Sequence, residues 1–577
     1  MNPIHGRDHA NFWEGGMVIG LTLLSAMSWT LYAWYYDNPQ LFPQLELDVR
    51  SLAAGRMGLG VIILWDLLER YRDVPFFYDD NSCCPRHLLL SGGDPRLKPS
   101  DFSIYFSVGS TTSVRILLLL FGGLSSMALM LGFYTQTAAF LCWIHWRSIE
   151  SRNGVIHQAG DLLLRLILWW AIFLPIGSCW SLDSFLGCKP LLALSPIASF
   201  GLIHQISCVY FFTAMFKTDK SWKVSWLGNR TKEAEPSAIH LVLSNYNFSR
   251  DPFATYLLRL SSRMRHQWDL TRFLTRISYW IEFAVLPLLL GVFPGFPTRL
   301  LAVTTLIGFH SGIALTMRIG VFPAACITSW ILLTPSCFWD SLSIPIPPLA
   351  VGREEPGSVL RTLDVMNYIA NYCLITPIML ISILFALRSN LSRLPIKTLD
   401  GSNTNTLSNG RYNFTYFLNF FLEEGLWYKL AVIQQSTELE LCRVMGQHQQ
   451  WFMFDKPARK DRWFISIGHC DDGTLVDLFA SVYGRKIFHP ITMSPPPPWT
   501  MTYRSHRWRK FFSRLLESRH HQLRKQYAEF ICNQWNKTFS KSTNKTVIKF
   551  EMCCVRRSLL IEAASHEETS SLWKFNL

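Results

Sequence analysis

Chemistry in this chain is to be sought among ionisable side chains set in apolar sequence, where a charge is costly and usually has a purpose. Lys217 closes the charge-free run Ser207–Phe216, with Tyr210 and Thr213 seven and four residues before it, so a helix places all three on one stripe. An ammonium held against apolar surroundings loses hydration, and a neutral amine becomes available as a general base. The competing reading is a lysine that snorkels to a membrane interface. His310 lies mid-segment in LIGFHSGIALTM, where a proton carrier and a hydrogen-bond partner to a neighbouring helix are both open. Asp161 and Arg165 stand four apart in GDLLLRLILWW, which predicts a salt bridge on one helix face. Arg115, Glu282 and Arg318 fall at or near helix ends, where snorkelling is a sufficient account; Arg115 and Glu282, with Tyr210, Thr213, Asp161 and Arg165, are carried as candidate substrate-binding residues.

Other chemistries find no footing. The chain has no GxxxxGK[ST], GxSxG or HExxH motif and no clustered histidine boxes, so no metal is expected. His5 and His9 are four apart, but so near a chain start they make a weak metal pair. The fourteen cysteines contain no CxxC pair and imply no disulfide framework; Cys83 and Cys84 are expected to be exposed. A net charge of +14 raises the question of nucleic acid. The basic residues fall mainly in Lys217–Arg276 and after Arg388, flanking apolar runs, which makes phospholipid headgroups the better counter-charge and excludes a nucleic-acid partner.

The elements that must position these residues are long apolar helices. Of 577 residues 49% are hydrophobic and only 17% charged, and the apolar runs stop at Leu387. Met17–Tyr36, Leu191–Phe216, Ile319–Phe338 and Met366–Leu387 contain no charge. Ser51–Leu68, Ile104–Leu131, Phe133–Ile149, Leu162–Gly177, Ile277–Pro297 and Leu300–Met317 carry isolated ionisable residues or proline. Together they predict about ten spans of the roughly 20 residues a bilayer requires. Met17–Tyr36 reads as a retained helix, since the residues before it are not basic and it ends in bulky aromatics; Gly16 and Gly20 form a GxxxG in front of it.

The expected fold is therefore an all-α, multi-pass transmembrane bundle with a small α+β soluble region at the C-terminus. Residues 1–48 form an extra helical segment, 49–387 the bundle, 388–445 a linker and 446–577 the soluble part. In that last part WFISIGHC, the turn Asp471–Gly473 and TLVDLFA predict a hairpin, and TVIKFEMCCV another strand. HRWRKFFSRLL and LRKQYAEFICNQW predict basic amphipathic helices. Trp508, Phe511, Phe512 and Leu515 share a face that lies either on a membrane surface or on the bundle. Gly401–Gly410 and the proline-rich Met493–Met501 read as linkers.

Several stretches, taken in order, resemble a known family. They are VRSLAAGRMGLGVIILWDLLERYRDVPFFYDD, MLGFYTQTAAFL, RNGVIHQAGDLLLRLILWWAIFLPIGSCWSLD and VYFFTAMFKTDKSW, followed by FHSGIALTMRIGVFP, PSCFWD, QQWFMFDKP, DRWFISIGHCDDGTLVDLF and RSHRWRKFF. Over roughly Val49–Trp535 they resemble the HTTM domain, the membrane domain shared with vitamin K-dependent γ-carboxylase. The resemblance implies that Lys217 is the base that deprotonates reduced vitamin K or another quinol, and that His310 matters to activity. Ser178 stands where the carboxylase has a histidine before WSxD, and the C-terminal region is shorter than the carboxylase's lumenal domain, so protein γ-carboxylation is not implied.

Two functions stay open from sequence. One is a membrane enzyme acting on a lipid-soluble, quinol-like small molecule; the other is a non-catalytic lipid-binding scaffold or transporter. The positive charge of the loops after Glu69 and Lys217 and of the C-terminal region favours a cytoplasmic side for them. The resemblance and six sequons, at Asn229, Asn247, Asn390, Asn413, Asn536 and Asn544, favour the opposite face.

Overall fold

The computed structural model describes residues 46–93, 102–188, 195–224, 236–263, 269–289, 298–345, 375–391, 442–451, 453–484, 491, 505–559 and 567–576. The expectations for His5 and His9, Met17–Tyr36, the linkers Gly401–Gly410 and Met493–Met501, and the sequons at Asn229 and Asn413 lie outside them.

Nine helices of the apolar region frame the fold among the described residues: α1 (Val49–Phe77), α2 (Thr111–Leu131), α3 (Thr135–Arg152), α4 (Ala159–Phe173), α5 (Pro196–Phe216), α6 (Leu270–Leu289), α7 (Thr298–Thr316), α8 (Phe322–Leu332) and α9 (Thr376–Leu391). The starts obey local chemistry. The Asp48 carboxylate caps α1 by accepting from the Arg50 N–H at 2.7 Å, Gln158 and Asp161 make a reciprocal capping box at α4, and Pro196 opens α5. Inside α2 the residues Leu118–Gly123 form a wider π turn without ending the helix.

Among the described residues α1, α2, α5 and α7 are the helices long and apolar enough to cross a membrane. The apolar run Ile319–Phe338 folds instead as the 11-residue α8 and a second short helix, Ser336–Ser341. Gly320, at φ +68°, and Pro335 break it at both ends. At 1.5 Å per residue α8 reaches roughly 16 Å and α4 roughly 22 Å, against ~30 Å of hydrocarbon. Gly160 lets α4 and α8 cross closely: a Cβ there would stand 2.8 Å from the Phe322 backbone nitrogen.

Polarity is distributed inside out. Leu68 is 64% exposed, Leu120 60% and Leu124 58%, whereas Asp66, Arg70, Asp161 and Arg507 are at most 2% exposed. These four form one neutral group. Arg70 donates to Asp66 at 2.5 Å, to Asp161 at 2.9 Å and to the Tyr78 hydroxyl at 2.6 Å, while Arg507 donates to both Asp66 and Asp161. The expected Asp161–Arg165 salt bridge does not form. Asp161 is claimed by Arg70 and Arg507, and Arg165 turns to Glu150 at 2.7 Å and to the carbonyls of Gly446 and His448.

Arg507 comes from the far end of the chain. There β1 (Lys460–Cys470), β2 (Leu475–Asp477), β3 (Val547–Ser558) and β4 (Glu567–Asn576) form an antiparallel sheet in the order β2-β1-β3-β4. The expected hairpin and final strand are present, although TLVDLFA is extended only at Leu475–Asp477 and then becomes helix α10 (Leu478–Gly484). The two basic helices are α11 (His506–Leu515) and α12 (His521–Thr543), and Tyr527 of α12 bonds Ser466 of β1 at 2.8 Å.

Of the two placements open to α11, packing on the bundle is the one adopted. Trp508, Phe511, Phe512 and Leu515 are buried, with the Trp508 ring 4.5 Å from Phe77. Asp73 of α1 accepts from Tyr483 at 2.9 Å and Ser505 at 2.7 Å, and a single hydrophobic core runs through residues on both sides of Leu387. Cys83 and Cys84, expected to be exposed, are fully buried because the chain after α1 folds under these helices; Gln526 of α12 reaches the Ser82 carbonyl there at 2.9 Å.

Three of the sequons spend their amide on the fold, which removes them as support for orientation. Asn247 donates to Asp461 at 2.6 Å, Asn390 to the Ala386 carbonyl at 2.8 Å, and Asn536 to the Val547 carbonyl at 3.1 Å.

The pairing pattern has a measurable signature. A double-mutant cycle between Asp161→Asn and Arg507→Gln, read by unfolding in detergent micelles, should give a coupling of about 1–3 kcal/mol. The same cycle between Asp161→Asn and Arg165→Gln should stay below about 0.5 kcal/mol. The reverse order would contradict the partners described here.

Candidate functional site

Three apolar helices and the chain after α5 bring the sequence-selected residues together. Lys217 caps the C-terminus of α5, and its ammonium lies 2.5 Å from both carboxylate oxygens of Glu282 on α6. Both side chains are buried. The lysine Nζ also sits 4.2 Å from the centre of the Trp222 ring, and Trp222 is itself fixed by donating to the Phe454 carbonyl at 2.8 Å. One helical stripe along α5, Tyr210 meets a second group: its hydroxyl lies 2.7 Å from His310 Nε2 on α7 and accepts from Trp330 Nε1 on α8 at 2.6 Å.

The hydrogen positions follow from what each group can do. An indole N–H only donates, so the Tyr210 oxygen accepts from Trp330 and has its own hydrogen to give. Given to His310 Nε2, that hydrogen leaves the hydrogen of a neutral imidazole on Nδ1; given to Cys326, which the hydroxyl also contacts, it leaves the imidazole hydrogen on Nε2. Nδ1 is buried and meets no hydrogen-bond partner. Its surroundings are the rings of Phe309 and Phe322, at 5.2 and 6.0 Å between centroids. A buried ring nitrogen left open in an apolar wall is costly to the fold and able to meet a polar atom of a ligand.

Not all the candidates belong to this group. Thr213 is turned back on its own helix, donating to the Val209 carbonyl at 2.5 Å, so it does not orient Lys217. Arg115 lies over the Tyr71 ring at 4.5 Å and donates to the Tyr71 carbonyl. Asp161 and Arg165 belong to the packing of α4 against α1, α3 and the C-terminal chain. Glu282, with snorkelling its sufficient account from sequence, is the direct partner of Lys217. Among the described residues no group of three or more His, Cys, Asp or Glu is placed to hold a metal ion.

Sequence reasoning passed over Trp222, Trp330, Asp66, Arg70 and Arg507. For Asp66 and Arg70 a signal existed, a carboxylate and a guanidinium four apart within LWDLLERYRD. The tryptophans offered none, because an indole in an apolar helix reads as core whether or not its N–H holds a neighbour.

No family model, no curated protein and no solved structure matches this chain.

Tyr210 is the keystone of the second group. Tyr210→Phe should leave the Trp330 N–H and His310 Nε2 both buried without a partner, at about 1–3 kcal/mol for each group. Unfolding in detergent should register a loss of about 2 kcal/mol or more. A change within about 0.5 kcal/mol, the usual range for a neutral substitution, would show that the network is not what holds α5, α7 and α8 together.

Proposed function

We propose that this chain is a multi-pass membrane protein of the HTTM type, and an enzyme that takes a proton from a lipid-soluble, quinol-like molecule with Lys217 as the base. The observation that carries the reading is the buried array of Lys217, Glu282, Tyr210 and His310, with one imidazole nitrogen, Nδ1, left without a partner in an apolar wall. Support for the membrane comes from four helices of spanning length, of which α1, α2 and α7 expose leucine on their outer faces while charges are buried inside.

The residues fit such a substrate. A quinol supplies an acidic hydroxyl and an aromatic ring. Lys217 and Glu282 hold a proton between nitrogen and oxygen at 2.5 Å, so a shift of that proton to Glu282 frees the amine as a base. With its hydrogen on Nδ1, His310 offers an N–H to an oxygen, and Tyr210 with Trp330 keeps that tautomer in place. Trp222 and Phe322 provide faces for a ring.

The alternative reading is a lipid-binding scaffold or transporter in which the Lys217–Glu282 pair fixes α5 to α6. The closed bidentate contact favours it.

Vitamin K hydroquinone and dioxygen, added to the full chain in nanodiscs, separate the two by quinol binding and by oxygen uptake, because the deprotonated quinol passes two electrons to dioxygen and yields quinone and hydrogen peroxide. In an enzyme Lys217→Arg keeps the charge, because guanidinium stays protonated, and should cut oxygen uptake roughly a hundredfold or more while quinol binding persists. His310→Phe should weaken binding. Uptake unchanged in Lys217→Arg, or no quinol binding by the unaltered chain, would leave the scaffold reading in its place.

A further inference from the structure

A second site lies where the C-terminal region meets the bundle. It is a cavity of about 490 Å³, and its walls are of two kinds. The bundle side presents apolar surface, including Leu162, Leu241, Val242, Ile319 and Phe322. The C-terminal side presents cations: Lys456, Lys460, Arg462, Arg509, Lys510 and Arg514. Asp455 is the sole carboxylate among the described residues of the lining.

Among the described lining residues cations outnumber carboxylates six to one. Lys460 reaches Glu568 at 3.4 Å, and Arg514 is spent on the backbone carbonyls of Gly154, Val155 and His157. Arg509 is half-buried, donates to His506 Nε2 at 2.8 Å and lies 4.3 Å from the centre of the Phe248 ring. Neither of those partners carries negative charge. Burial and the neighbouring Arg462 push the Arg509 guanidinium down to about 9. Burial, reinforced by Arg509, Lys510 and Arg507, holds the His506 imidazole well below its usual range, so it adds no anion and no further cation. A fold that gathers this much positive charge around a partly apolar space gains most from a negative ligand with an apolar body.

We propose that this cavity binds a phosphate-bearing amphiphile, its head among Arg462, Arg509 and Lys456 and its hydrocarbon chain along Leu162, Ile319 and Phe322. Guanidinium groups match phosphate oxygens in a bidentate geometry, and the volume is that of a site for a molecule of lipid-head size rather than a lone ion. The site is separate from Lys217 and stands whether or not the quinol reading does. Phe322 is the shared wall, facing this cavity and the His310 ring alike.

The test uses the full chain in phosphatidylcholine nanodiscs with three probes: short-chain phosphatidic acid, the diacylglycerol with the same chains, and inorganic phosphate. Phosphatidic acid should bind and raise the unfolding temperature, diacylglycerol should bind at least tenfold more weakly, and phosphate should compete only in large excess. Lys456→Gln with Arg462→Gln changes two exposed side chains, so folding should survive, and phosphatidic acid affinity should fall at least fivefold. Equal binding of diacylglycerol would overturn the role of the charge, and phosphate binding as tight as phosphatidic acid would overturn the amphiphile. No binding of phosphatidic acid, or full affinity in the double variant, would overturn the site itself.

Discussion

Asp66, Arg70, Asp161 and Arg507 make a buried, electrically balanced square on which the arrangement of the remaining elements depends. Two positive and two negative side chains are withdrawn from water, and each is tolerable there only because the other three are present. The constraint reaches far. Asp66 and Arg70 orient α1, Asp161 fixes the first turn of α4 and caps it, and Arg507 forces α11 into the bundle with Trp508 and Phe511 behind it. Loss of one member would strand an opposite charge in the interior, so the group acts as a unit that specifies how the C-terminal region docks.

A second contact repeats the logic with neutral groups. Gln205 of α5 and Gln449 exchange amide hydrogen bonds at 2.6 and 2.9 Å, and Arg165 donates to the carbonyls of Gly446 and His448. The segment before the sheet is thereby threaded against α4 and α5, and it carries Phe454, whose carbonyl holds Trp222 over Lys217. The positioning of the candidate lysine therefore rests on residues more than two hundred positions away, and a disturbance of the C-terminal chain would be felt at Lys217 without touching it. The Lys217–Glu282 pair and the Tyr210 network are two further buried polar groups of the interior, and His310 Nδ1 is one of the buried atoms left without a partner.

Much of the architecture was legible in the sequence because it is written in local periodicity. Apolar length announced α1, α2, α5 and α7, and alternation with the Asp471–Gly473 turn announced β1, β2 and β3. The stripe of Tyr210, Thr213 and Lys217 runs along α5, and all three side chains are buried. Length alone misled at Ile319–Phe338, where an apolar run long enough to span was cut by a left-handed glycine and a proline into short helices.

What the sequence determined by itself is thus the set of elements, the side chains that could not face lipid or water unpaired, and the positive charge of the C-terminal part. The partners were decided only by tertiary structure. A charge four residues from its opposite looks paired, yet Asp161 and Arg165 each found better geometry elsewhere, with Arg507 lying 346 positions from Asp161 and Gly446 281 from Arg165. Lys217 met Glu282 across 65 residues, and Tyr210 met His310 across 100. The physical reason is that burial sets a demand for a counter-charge or a hydrogen bond without naming its source, and any group the packing of apolar faces brings within about 3 Å can answer it. Helix periodicity is a property of neighbours along the chain; the choice among distant partners is a property of the packed core alone.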